Sequence, residues 1–275
     1  SSCFVITLKI RSLMKKKILY LLTCVGLCWS SCTNEVDEFI GNVEPSTRSV
    51  STALNANLAS LFTGGAPTLT SAEIKEVNDA YAKMTSINCY RNIDEAVRNK
   101  TSYAGTIFLD DTYASAYFRK GSLAFPPYGI LASSMEHEFI HMYQRDVQGK
   151  KVDTDKEKRD TGMMEFELAF YQGIIRYIHA GYSWTFKGED GDPSYQSLWT
   201  SGLTDPSLIP QYEREFQTYV ASICANGKPT SIDINEFVKW SNIFGEYSRG
   251  YSGKGYKFGN YDYGTSCINS LLKLY

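Results

Sequence analysis

The densest cluster of reactive side chains is His137-Glu138-Phe139-Ile140-His141. On a helix, residues four apart project from one face, one turn above the other. Two imidazoles so placed can hold a single Zn2+, each at about 2.0–2.1 Å. Glu138 directly follows the first histidine, which aims its carboxylate beside such a metal rather than onto it. From there it can take a proton from an attacking water and pass it to a leaving amine. The chain has only 3 histidines in 275 residues, so this spacing arises by chance on the order of once in several hundred such chains. The bland alternative is a helix with two ordinary surface histidines. Against it, Leu131, Met135, Phe139 and Met142 recur at spacings of three and four, which predicts an amphipathic helix over 130–146 around the motif.

This motif resembles that of the zincin metallopeptidases, and the resemblance covers roughly residues 100–180. It implies an α+β catalytic domain with a small, mostly antiparallel sheet, whose edge strand ahead of the motif binds extended peptide. It also implies zinc as cofactor, His137 and His141 as metal ligands, Glu138 as the catalytic acid–base, and a protein or peptide substrate. No glycine-spaced third histidine follows His141, so the metzincin branch does not fit. That leaves the branch whose third ligand is a glutamate on a later helix.

Two glutamates compete for that role, in Met164-Glu165-Phe166-Glu167-Leu168-Ala169. On a helical wheel Phe170, Tyr171, Ile174, Tyr177 and Ile178 gather on a core side. Glu165 lies with Gln172 and Arg176 on the opposite, polar stripe, and Glu167 points into the apolar face. A buried carboxylate needs a strong partner such as a metal, which favours Glu167. A catalytic metal keeps a water-accessible position, which favours Glu165. Members of this zincin branch carry the ligand on the polar stripe, and the E-x-E-x-A run is similar to the E-x-E-A-D of membrane-associated relatives. The resemblance therefore selects Glu165, with Glu167 as the alternative. Those relatives place an Asp four residues after the ligand to orient a histidine, where this chain has Ala169. Either another residue does that work or activity is weak. Spacing assigns no oxyanion-stabilising residue: His179 reads as a surface residue, and the 20 tyrosines as core or loop-packing residues.

The elements that must position these groups follow from periodicity and turn chemistry. Helices are expected over 72–84, 130–146, 162–181, 206–225, 233–247 and 265–274, with a short one possible around 50–62. Extended segments are expected over 104–109, 113–118 and 122–125, the last closed by Pro126-Pro127. The run 113–125 is the candidate edge strand. Strands first and helices later indicate an α+β domain over residues 71–275. Glycine- and tyrosine-rich loops follow at 181–202 and 250–264, and Ser252-Gly253-Lys254-Gly255 lacks the context of a phosphate loop.

Composition bounds the rest. With 43% hydrophobic residues, 20 Tyr, 14 Phe and 4 Trp, the chain holds too much apolar surface to stay disordered. The formal net charge is −2, which argues against a nucleic-acid binder working through a basic surface. Five of the basic residues (Lys9, Arg11, Lys15, Lys16 and Lys17) fall in the first 32 positions, which contain no acid. Setting them aside leaves 23 basic against 30 acidic residues, a net of −7. Met14 followed by three lysines, the apolar run 18–28 and Trp29-Ser30-Ser31-Cys32 resemble the signal peptide and lipobox of bacterial lipoproteins, with a departure at Trp29. The expectation is residues 1–31 as upstream residues and signal, lipid on Cys32 as a membrane anchor, and a flexible tether over 32–70, in an exported envelope protein. Cys89, Cys224 and Cys267 show no CxxC spacing, which excludes a structural zinc cluster and permits at most one disulfide.

The expected activity is zinc-dependent peptide-bond hydrolysis. The alternatives are a catalytically weak or inactive binding lipoprotein on a zincin fold, and a carbohydrate-binding lipoprotein using the aromatic loops.

Overall fold

The computed structural model describes residues 53–150, 158–179 and 203–275. The signal segment, Cys32, the tether up to residue 52 and the loop over 181–202 lie outside the described residues. Helix α1 (Ala56–Leu61) opens the described part, followed by α2 (Ser71–Ser86) and α3 (Asn88–Lys100). Three short strands follow: β1 (Ile107–Leu109), β2 (Tyr117–Arg119) and β3 (Ser122–Phe125). Helix α4 (Ala132–Met142) runs into a π-helical turn, Tyr143–Val147, and α5 (Lys158–His179) comes next. The C-terminal part holds α6 (Ile209–Ile223), a minimal hairpin of β4 (Cys224–Ala225) and β5 (Lys228–Pro229), α7 (Ile234–Tyr247) and α8 (Ser266–Leu272). The fold is α+β and helix-rich.

Several expectations change. Among the described residues three helices precede the strands, and α3 is not one of the expected elements. Leu58, Leu61 and Phe62, from the stretch expected to be tether, are at most 1% exposed, so packed structure begins ahead of residue 71. The sheet is mixed rather than mostly antiparallel: β3 is central, parallel to β1 and antiparallel to β2. Of the expected edge run 113–125, only β2 lies at an edge. Cys89, Cys224 and Cys267 are all free thiols.

Local chemistry explains the framework. Thr70 caps α2 with a reciprocal box, Thr70 N–H to Glu73 Oε2 at 2.6 Å and Glu73 N–H to Thr70 Oγ1 at 3.3 Å, satisfying two otherwise orphaned donors. Lys120 and Gly121 both have positive φ, 51° and 79°, the two-residue primed turn that joins β2 to β3. Helix α4 sits between α2 and α3 on one side and β2 and α5 on others. Its Met135, Phe139, Ile140 and Met142 are fully buried.

Helix α5 is apolar on nearly every face, with Met163, Phe166, Phe170, Tyr171 and Ile174 fully buried, as befits a central helix rather than a surface one. Even Gln172, placed by the wheel on the polar stripe, is only 3% exposed. Phe166 meets Phe237 at 5.0 Å between ring centroids, Phe170 meets Phe216 at 5.6 Å, and Phe216 meets Trp240 at 5.5 Å. Each such pair contributes about 0.5–1.5 kcal/mol beyond its burial. This aromatic layer ties α5 to α6 and α7, holding the face that carries Glu165 against α4.

Candidate metal centre

The buried apolar face of α4 fixes the rotation of that helix and turns His137 and His141 outward into a cleft. Their rings lie 4.7 Å apart at 81°, and the two Nε2 atoms face each other at 3.1 Å. Across the cleft Glu165, in the buried-helix surroundings of α5, brings Oε1 to 3.3 Å from His141 Nε2 and Oε2 to 3.7 Å from His137 Nε2. The three donors lie within 4.8 Å of one another, a group able to hold a metal ion.

The fit can be tested against coordination geometry. Ligands at about 2.0–2.2 Å on the corners of a tetrahedron stand roughly 3.3–3.6 Å apart. The observed separations of 3.1, 3.3 and 3.7 Å bracket that spacing. Two imidazole nitrogens and a carboxylate oxygen suit a borderline cation. The side chains of His137, His141 and Glu165 retain 13%, 18% and 20% exposure, which leaves one side open to the cleft. His137 Nδ1 is buried without a hydrogen-bond partner, whereas His141 Nδ1 lies 2.9 Å from Gln144 Oε1.

The electrostatics follow from burial working against close opposite charges. Burial raises the Glu165 carboxyl, but His141, His137 and the Tyr251 hydroxyl outweigh it and hold the group down at about 2. Burial opposes charge on His141, yet the adjacent Glu165 carboxylate lifts it to about 9. His137 moves the other way, lowered by burial and then by its neighbour His141. Without a metal, therefore, Glu165 and His141 form a charged pair, and a divalent cation would take the place of the shared proton. Glu138 is 4% exposed and lines the cleft beside the triad. Burial raises its carboxyl above the usual range, while the two histidines and the backbone of Phe118 favour its charge. A carboxylate poised above its ordinary value is a stronger base.

The cleft occupies about 380 Å3, and Tyr117, Phe118, Ser134, Thr161, Lys254 and Tyr256 line it beside the triad. Strand β2 thus forms one rim and the 250–256 loop another. That loop reaches the site because Gly162 of α5 lets it pack directly: a Cβ there would lie 2.7 Å from the Lys257 carbonyl oxygen.

The structure brings Glu165, and not Glu167, to the histidines. Glu167 is fully buried and binds Gln144 Nε2 at 2.8 Å and the Tyr263 hydroxyl at 2.9 Å, so it finds its partners away from the cleft. Ala169 packs in the core at 4% exposure and leaves no polar group for a histidine. His179 is exposed and meets Tyr275 edge-on at 5.8 Å between ring centroids, outside the site. Two residues at the site went unread in the sequence, Gln144 and Tyr251. Gln144 follows His141 by three, a helical neighbour that the spacing exposes. No sequence signal marks Tyr251, one tyrosine of a loop. No family model, curated protein or solved structure matches the chain.

Proposed function

We propose that the chain is a zinc-dependent peptidase of the zincin type, exported and anchored by lipid on Cys32. The observation that carries this reading is the convergence of His137, His141 and Glu165 at tetrahedral spacing, with Glu138 at their side in an open cleft. Bound zinc supplies a Lewis acid that polarises a scissile carbonyl and makes water a nucleophile near neutral pH. Glu138 accepts the proton of the attacking water at its carboxylate and then delivers it to the leaving amine nitrogen. Its burial suits both halves, because a raised carboxyl holds that proton long enough to pass it on. Strand β2 offers an edge beside the cleft, where an extended substrate backbone adds as a further strand. Such pairing gives affinity with little side-chain selectivity, so the substrate class is proteins or peptides.

Metal analysis of the purified protein, with and without His137→Ala, combined with cleavage of a peptide library, tests the reading. Zinc should bind the wild type at one equivalent and leave the His137→Ala variant. Glu138→Gln should retain zinc while turnover falls by at least the ~10²–10⁴ of a lost general base. A Glu138→Gln protein that keeps zinc and cleaves at the wild-type rate ends the catalytic assignment.

A further inference from the structure

The Gln144 amide is fully buried and reaches in three directions. Its Nε2 lies 3.0 Å from the Met164 carbonyl oxygen and 2.8 Å from Glu167 Oε2. Its Oε1 lies 2.9 Å from His141 Nδ1. The two ends of an amide differ only by one atom, so its orientation must follow from its partners. The Met164 carbonyl can only accept. Glu167 Oε2 already accepts from the Tyr263 hydroxyl at 2.9 Å and remains an acceptor whether or not the other carboxyl oxygen is protonated. The end facing both must therefore be the NH2, and the end facing His141 must be the oxygen. An oxygen there obliges His141 Nδ1 to donate. Once His141 gives up its other proton to bind a metal, its lone pair is therefore on Nε2, the atom that faces His137 and Glu165.

We propose that Gln144 is a positioning residue that fixes the tautomer and ring plane of His141 for metal binding, and that Glu167 with the Met164 carbonyl fixes Gln144. The second acid of the Glu165-Phe166-Glu167 run thus serves the metal at one remove. This rests on the metal-binding reading of the site. The network also accounts for Ala169: the orienting contact comes from the turn after α4 instead of from α5. His137, whose Nδ1 has no partner, receives no comparable support.

Zinc affinity, measured by chelator competition at one fixed pH, tests the proposal on the folded metal-free protein. Wild type and His137→Ala establish whether zinc occupies the site at all. Gln144→Met keeps the length of the side chain and removes the contact, and should weaken zinc binding by about 10–100-fold, the usual cost of losing such support. Gln144→Glu sets two carboxyls face to face in the interior and should also bind zinc weakly. Adding Glu167→Gln to it restores a donor–acceptor pair between positions 144 and 167 while an acceptor still faces His141, and leaves only the Met164 carbonyl, 3.0 Å from the amide nitrogen in the wild type, without its donor, so the double variant should recover part of the lost affinity. A purely structural role predicts no such recovery. Wild-type zinc binding with Gln144→Met unchanged, or with a double variant no better than Gln144→Glu alone, overturns the proposal and leaves the metal site standing. If Gln144→Met does not fold, the single and double Gln144→Glu variants decide alone. A wild type that takes no zinc overturns both readings.

Discussion

The Tyr251 hydroxyl donates to Glu165 Oε2 at 2.9 Å, joining residues 86 positions apart. Its ring meanwhile packs on Phe244 at 5.1 Å and Tyr256 at 5.6 Å. The bond restrains the one metal-ligand candidate that α4 does not supply, and it is among the contacts that keep the Glu165 carboxyl ionised. Tyr251→Phe keeps the ring and removes only the donor. The site is partly exposed, so the effect should be about 1 kcal/mol, roughly a fivefold loss of zinc affinity. The metal-free melting temperature should barely move. An unchanged affinity would show that Glu165 is held by packing alone.

How much of this was legible in the sequence depends on how local each cause is. Helices α4 and α5 showed themselves through apolar spacing, and the histidine pair through the period of the helix. Glu165 and Glu167 were separable only in part, because the wheel placed one polar stripe without revealing that α5 is buried on nearly all sides. Helix α3 carried its signal in Cys89, Tyr90, Ile93 and Val97, all buried, but polar residues fill the gaps and Ile87 gives no side-chain cap. The Asn226-Gly227 turn, with φ of 54° and 75°, is a strong hairpin signal that the two-residue strands beside it made easy to overlook. Tyr251 had no local cause to read. Its position comes from a loop seated on α5 and α7, a tertiary contact that leaves no period in the chain.

Gly162 tests that seating. In an exposed helix, Gly→Ala stabilises by about 1 kcal/mol through backbone entropy. Here the added methyl would lie 2.7 Å from the Lys257 carbonyl oxygen and 3.2 Å from Tyr256 Cβ. Backbone cannot yield as a flexible side chain does, and overpacking of this kind costs about 1–3 kcal/mol. The sign should therefore reverse: Gly162→Ala should lower the urea midpoint and, by shifting the Tyr251 loop, weaken zinc binding as well. A more stable Gly162→Ala protein would mean that the loop does not rest on α5.

Metal should also report itself as stability. A ligand bound only by the folded state, present at 100 times its Kd, adds about 2.7 kcal/mol. For a chain of this size that corresponds to a rise in melting temperature of roughly 5–10 °C. Chelation should reverse it. His137→Ala, His141→Ala and Glu165→Ala should each abolish the zinc-dependent shift, whatever they do to the metal-free protein. Zinc shifts of wild-type size in all three variants would place the metal elsewhere.

Arg145 offers a test of how the cleft receives its substrate. Its guanidinium carbon sits 4.3 Å from the Phe118 ring centroid and 5.5 Å from that of Tyr103. Its Nε and Nη2 hold Asp146 at 2.8 and 2.6 Å, and the Tyr103 hydroxyl closes on the same carboxylate. Arg145 thereby clamps β2, the rim strand, to the turn that follows the histidine helix. A cation over a ring contributes about 0.5–2 kcal/mol depending on its desolvation, enough to decide whether a three-residue edge strand stays in register. Arg145→Ala should leave zinc content intact, because none of the three donors is touched, and lower kcat only modestly, through the Phe118 backbone contact to Glu138. KM for peptide should rise by roughly three- to tenfold as the rim loosens. Arg145→Lys should not restore it, since an ammonium lacks the flat face and the paired donors that grip Phe118 and Asp146 together. A variant with unchanged KM and depressed kcat would move Arg145 from the substrate rim to the chemistry itself.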